Sequence, residues 1–182
     1  MPWDDVPIAE RPTYHGKISL HPSAVATFYA PSDVCGIGGM HSERIRAVPT
    51  WRKAGPRYDC VFVNIDSSVP GMRGLDVARI RQFFSFKTGG KYYPCAFVQW
   101  LPRIGDEPDE ETGLWEVWGV HHGEAPHMDI IHVDTIIRAA HLIGVYGEDF
   151  VPVQLSFHEA LNAFHSFYVN KFIDHHASEI AF

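Results

Sequence analysis

Val77-Ala78-Arg79-Ile80-Arg81-Gln82-Phe83-Phe84-Ser85-Phe86 runs into Lys87-Thr88-Gly89-Gly90-Lys91 and then into Tyr92-Tyr93-Pro94-Cys95-Ala96-Phe97-Val98-Gln99-Trp100-Leu101. Two runs rich in aromatic and branched residues, joined by a Gly-Gly pair that tolerates left-handed backbone, read as a β-hairpin. Alternation in the first run sets Val77, Arg79, Arg81, Phe83 and Ser85 on one face and Ala78, Ile80, Gln82, Phe84 and Phe86 on the other. The second face is the expected core side. Pro94 lacks an N–H, so the second strand is expected near a sheet edge or to begin pairing after it.

Further strands are expected on both sides of this hairpin. Tyr58-Asp59-Cys60-Val61-Phe62-Val63-Asn64-Ile65 is rich in β formers and ends at Asp66-Ser67-Ser68, which favours a turn. Leu114 to Trp118 and Met128 to Val133 have strand character, and the acidic stretch Arg103 to Gly113 between strands reads as an exposed loop. Asp134 to Arg138 has the polar start of a single helical or 3-10 turn. Short strands separated by polar loops predict an α+β, mainly β domain over residues 32–182, built on a small curved sheet or barrel. Residues 1–31 hold five prolines and are expected to form an irregular arm.

The C-terminal region changes period. Ser156-Phe157-His158-Glu159 fits a capping box, and Phe157, Leu161, Phe164, Tyr168 and Phe172 then recur at helical spacing. An amphipathic helix over about 157–175 is the expectation, with His175 and His176, beside Asp174, satisfying its last carbonyls.

With 46% apolar residues in a chain of 182, one substantial core can be buried. The formal net charge of −7 argues against a large nonspecific surface for phosphate backbones. Cationic side chains do concentrate locally, in Arg44, Arg46, Arg52, Lys53 and Arg57, with Trp51 among them. That stretch, Arg44 to Arg57, is the candidate nucleic-acid surface. Cys35, Cys60 and Cys95 are widely spaced and form no C-x-x-C pair, which fits a reducing intracellular setting. No basic segment precedes an apolar run at the N-terminus and no apolar run approaches membrane-spanning length, so neither secretion nor a membrane partner is expected.

Several chemical motifs can be excluded on spacing. Gly36, Gly38 and Gly39 match neither a dinucleotide fingerprint nor a Walker loop, and G-x-S-x-G is absent. Histidine is abundant, with 12 in the chain. His121, His127, His132 and Asp134 are ligand types for zinc or iron, and His132 and Asp134, two apart on a strand, would point to one side. This defines the alternative of a metal-dependent enzyme; otherwise no cofactor is expected. Trp51, Trp115 and Trp118 are candidates for an aromatic binding surface, whereas Trp100 fits the core.

Several segments stand in a set order: Tyr29-Ala30-Pro31-Ser32-Asp33, Gly38-Gly39-Met40, Glu43-Arg44-Ile45-Arg46, Arg57-Tyr58-Asp59, Val77-Ala78-Arg79, Phe83-Phe84-Ser85-Phe86, Thr112-Gly113 before a Trp, Asp134 to Leu142, and Tyr168 to Ala177. Together they resemble the C-terminal region of Plavaka-type transposase-like proteins of mushroom-forming fungi. The middle of the chain has a looser likeness to small barrels of the bromo-adjacent-homology kind. The resemblance implies a noncatalytic, chromatin-associated or protein-interaction accessory domain, with a protein or chromatin partner and a nuclear location. It carries over no catalytic residue.

Overall fold

The computed structural model describes residues 7–10, 13–30, 38–119, 125–147, 150–151 and 153–182. In chain order its strands are β1 (Ser19–His21), β2 (Ser23–Tyr29), β3 (Met40–Trp51), β4 (Gly55–Tyr58), β5 (Cys60–Asn64), β6 (Leu75–Thr88) and β7 (Lys91–Leu101). They continue as β8 (Arg103–Ile104), β9 (Glu116–Trp118), β10 (Met128–His132), β11 (Ile136–Ala140), β12 (Leu142–Val145) and β13 (Ser166–Val169). Two short helices, α1 (Ala160–Ala163) and α2 (His175–Ala181), complete the set. The fold is mainly β, closes with a C-terminal helix, and forms several sheets without a closed barrel among the described residues.

The central sheet has the order β10-β7-β6-β5-β11, with β1 pairing the far end of β6. Thr88 pairs with Lys91, and Gly89 and Gly90 carry φ of 56° and 79° between them, so the β6–β7 connection is the two-residue turn that glycine makes inexpensive. Pro94 sits opposite Ser85 of β6, one residue beyond Cys95, where pairing with β10 stops.

Strand β5 is buried on both faces, because apolar residues alternate without a polar break. Cys60 and Phe62 enter a core with Met72, Leu75, Val77, Trp115, Val117, Phe167 and Val169. Val61 and Val63 point the other way, into a core with Ile45, Ala47, Ala78, Ile80, Phe83 and Val98. The central sheet is therefore a middle layer. One face carries the β12-β13-β9-β8 sheet with α2, and the other carries the β2-β3-β4 sheet.

Strand β6 departs from the simple alternation expected of it. Its register with β7 shifts between Ile80 and Gln82, a bulge at Arg81. Before the bulge Ala78 and Ile80 face the second core, as expected; after it Phe83 does, and Phe84 and Phe86 turn outward. An inserted residue reverses every later side chain.

Two further expectations change. Residues 1–31 are not wholly an irregular arm: β1 and β2 lie within them and pair with β6 and β3, since the chain between Pro22 and Pro31 is free of proline and rich in β formers. No single helix spans 157–175. α1 is one turn, and β13 is then inserted between β12 and β9, so sheet pairing on both edges overrides the helical spacing of the aromatics. The capping box forms in half: the Ser156 N–H donates to Glu159 Oε2 at 3.3 Å, while the Ser156 hydroxyl pairs with His158 Nδ1 at 2.8 Å. Asp174 begins a helix instead of ending one, accepting from the Ala177 N–H at 2.7 Å as the N-cap of α2.

That cap is joined to a buried ion cluster. Arg138 on β11, 4% exposed, donates to both oxygens of Asp174, at 3.0 and 2.7 Å, and to Glu43 Oε2 of β3 at 3.5 Å. Glu43 Oε1 accepts the Ala139 N–H, and the Phe28 ring covers the guanidinium at 4.5 Å. Hydrogen bonding from Arg138, aided by the Ala177 N–H, holds the Asp174 carboxyl below the usual carboxylate range. A lowered folded pKa means stability that is present above the unfolded pKa of about 3.9 and is lost as pH falls through the folded value. Arg138→Met should cost about 2–4 kcal/mol in denaturant unfolding, because two carboxylates lose their shared cation. Asp174→Asn should flatten the acid limb of the stability curve below about pH 4, measured by unfolding at stepped pH.

Candidate binding cleft

The β3–β4 hairpin gathers the cationic residues singled out by the sequence. Trp51 ends β3, and Arg46, Arg52 and Arg57 lie over its ring at 4.5, 5.4 and 5.3 Å from the centroid. Arginine stacks on indole while keeping its edge free for hydrogen bonds. The turn itself is built against preference. Ala54 N–H donates to Trp51 O at 3.0 Å, and the two residues between, Arg52 and Lys53, have φ of 51° and 63°. Left-handed backbone without glycine costs roughly 1–2 kcal/mol per residue, so the hairpin tip presents two cations at the expense of local stability.

Only Arg57 in this group has a described carboxylate partner. Its Nε donates to Asp59 Oδ1 at 2.7 Å, and Asp59 Oδ2 also takes the Arg46 N–H at 2.9 Å. Arg44 donates to the Ser23 hydroxyl at 2.9 Å. Lys53 is exposed at the tip.

Beneath the hairpin is a hollow of about 490 Å³, lined by Trp51, Arg52, Arg57, Tyr58, Arg79 and His158 among others. Its far wall is the 156–164 segment, which meets the hairpin at Gly55: a Cβ there would lie 2.7 Å from the His158 ring. The hollow adjoins a second, of about 450 Å³, with Arg57, Tyr58, Asp59, Phe157 and Leu161 common to both. The second is lined by Leu142, Leu161, Phe164, Phe167 and Ile173 and also by Glu43, Arg138, His141 and Asp174. Together they make one cleft, cationic at the hairpin end; toward β12 and β13 the apolar Leu142, Phe164 and Phe167 stand beside Glu43, Arg138 and Asp174.

Arg79 was not among the residues expected to bind anything. It lies on β6, is 4% exposed, and its Nη1 donates to the neutral Asn162 Oδ1 of α1 at 2.6 Å. Its guanidinium sits 5.8 Å from the Tyr58 ring centroid and its Nε is enclosed without a partner. Burial presses its pKa below that of an ordinary arginine. In sequence it is indistinguishable from any outward-facing strand arginine.

The other candidate residues are dispersed. Trp115 is 5% exposed and belongs to the first core, with Arg103 over its ring at 5.6 Å, so it contributes no binding surface. Trp118, 38% exposed, is on β9 of a different sheet from the hairpin. His132 and Asp134 are close, with Nδ1 and Oδ2 at 3.4 Å, but through a 3-10 turn in which His132 Nδ1 accepts the Asp134 N–H, not through strand alternation. His127 precedes β10, roughly 16 Å along an extended chain from His132. His121 lies outside the described residues, and no three metal-ligating side chains converge among those described.

Neither described thiol has the lowered pKa of a nucleophile. Burial pushes Cys60 up to about 12, and raises Cys95 as well. Cys35 lies outside the described residues. Ser156 and His158 form a hydroxyl–imidazole pair, yet no described carboxylate hydrogen-bonds the other ring nitrogen. Among the described residues no helix is long and apolar enough to cross a membrane.

The strain in the hairpin tip and the contact at Gly55 give separable outcomes. Lys53→Gly should raise stability by about 1 kcal/mol in denaturant unfolding by relieving left-handed backbone. Gly55→Ala should force the His158 ring away from the hairpin, seen as a change in the His158 imidazole NMR signals. No family model matches this chain, and it matches neither a curated protein nor a solved structure.

Proposed function

We propose that this domain is a noncatalytic binding module whose cleft receives an extended acidic segment of a protein partner. The observation that carries this reading is the cleft's polarity. One end offers Arg52, Arg57 and Arg79, and the other the apolar side chains of Leu142, Leu161, Phe164 and Phe167. An acidic residue followed by aliphatic ones would satisfy both ends, with electrostatic complementarity fixing direction and apolar burial supplying affinity. The likeness to the C-terminal region of transposase-like proteins supports an accessory role beside chemistry performed elsewhere.

A second reading, nucleic-acid binding, draws on the guanidiniums around Trp51. The net charge of −7 weighs against it. The metal-enzyme reading through His121, His127, His132 and Asp134 has one close pair, His132 and Asp134, and needs His127 brought to it.

Selection of random linear peptides on the full chain tests the first reading. Enriched sequences should pair Asp or Glu with nearby aliphatic residues, and their affinity should fall about tenfold or more in Arg57→Glu and in Phe157→Ala. Phe157 is 63% exposed and Arg57 is 37% exposed at its side chain, so both variants should fold. Peptides that bind the variants unchanged, or no enrichment, would sink the reading. Single-stranded nucleic acid binding more tightly than any peptide, with affinity falling steeply in salt, would replace it with the second.

A further inference from the structure

We infer that Arg79 is the receptor for one anionic oxygen group, a carboxylate or a phosphate, carried by the segment that occupies the cleft. This rests on the cleft reading only for what carries the anion.

The argument is a contrast between two arginines of equal burial. Arg79 and Arg138 are each 4% exposed. Arg138 meets two carboxylates, Asp174 and Glu43. Arg79 has none within ion-pair distance among the described residues; its hydrogen-bond acceptor is an uncharged amide and its neighbour is the Tyr58 ring. The acid lining the hollow, Asp59, is already engaged by the Arg57 guanidinium and the Arg46 N–H. Burying a cation without an anion is expensive and buried charges are as a rule paired, so an unpaired buried guanidinium in a cavity wall points to a ligand that completes it.

The surroundings fit an incoming anion. Arg79 forms part of the wall of the 490 Å³ hollow, beside Arg57, Arg52 and His158. A space of this size admits a carboxylate or phosphate together with part of its carrier chain. A guanidinium has five N–H donors, and the one given to Asn162 leaves others for an anionic oxygen, in a site where the local dielectric is low. Arg57 reaches the same hollow from the hairpin, so the anion is held between a strand of the central sheet and the three-stranded sheet.

The Nε–Hε signal of Arg79, assigned by its loss in Arg79→Lys, is to be followed in the ¹⁵N-labelled full chain during titration with inorganic phosphate, with acetate, and with chloride at matched ionic strength. A saturable shift with phosphate or acetate that chloride does not reproduce is expected. The stronger of the two identifies the carrier as phosphorylated or carboxylic. An Arg79 signal that stays fixed while those of Arg52 and Arg57 move would overturn the inference. Arg79→Met should abolish anion binding and, with the unpaired charge gone, raise the thermal midpoint by about 3 °C or more. The titration uses the native sequence and decides the matter even if that variant does not fold. Failure of peptide selection with the phosphate or acetate shift intact would sink the cleft reading alone; the reverse would sink the anion receptor alone.

Discussion

A guanidinium taken out of water must be met by acid groups, and in this fold Arg138 draws two of them from distant parts of the chain. Glu43 comes from β3 and Asp174 from the turn before α2, so a single cation joins the three-stranded sheet, the edge of the central sheet and the C-terminal helix. Asp174 is both counter-ion and helix cap, and Glu43 both counter-ion and acceptor for the Ala139 amide. Each carboxylate therefore fixes backbone as well as charge. The orientation of β3 that results brings Trp51 and its arginines over the hollow containing Arg79.

The central hairpin was legible in the sequence because its connection has few alternatives: two glycines between alternating runs leave little but a tight turn. The double-sided burial of β5 was legible in kind, since Val61, Phe62 and Val63 offer no polar face. The bulge at Arg81 was not. Nothing in Arg-Ile-Arg-Gln marks an inserted residue, and a period-two reading carried through it assigns Phe84 and Phe86 to the wrong side. The C-terminal helix failed for a related reason. Phe157, Leu161, Phe164 and Tyr168 satisfy helical spacing, while Ser166-Phe167-Tyr168-Val169 equally satisfies a strand, and an open slot between β12 and β9 decides in favour of the strand.

The site was half legible. Trp51 with Arg46, Arg52 and Arg57 stood out by composition, and the hairpin brings those residues together. Arg79 is separated from them by more than twenty positions and lies before the bulge, on the face that strand alternation assigns away from the second core. Its significance depends on what is missing around it, and a missing counter-ion is a property of three-dimensional surroundings. Trp115 shows the converse: an aromatic beside a charged loop resembles a binding residue until Val117, Phe167 and Met72 close over it.

The cleft lies between layers that are otherwise connected through the middle sheet. Its walls come from the β3–β4 hairpin on one side and from α1, β12 and β13 on the other. An occupant touching both would act as a cross-brace. Opening fluctuations that separate the layers would have to expel it first, so amide hydrogens in β4 and β13, on different sheets, would exchange with solvent in concert when the cleft is filled and independently when it is empty.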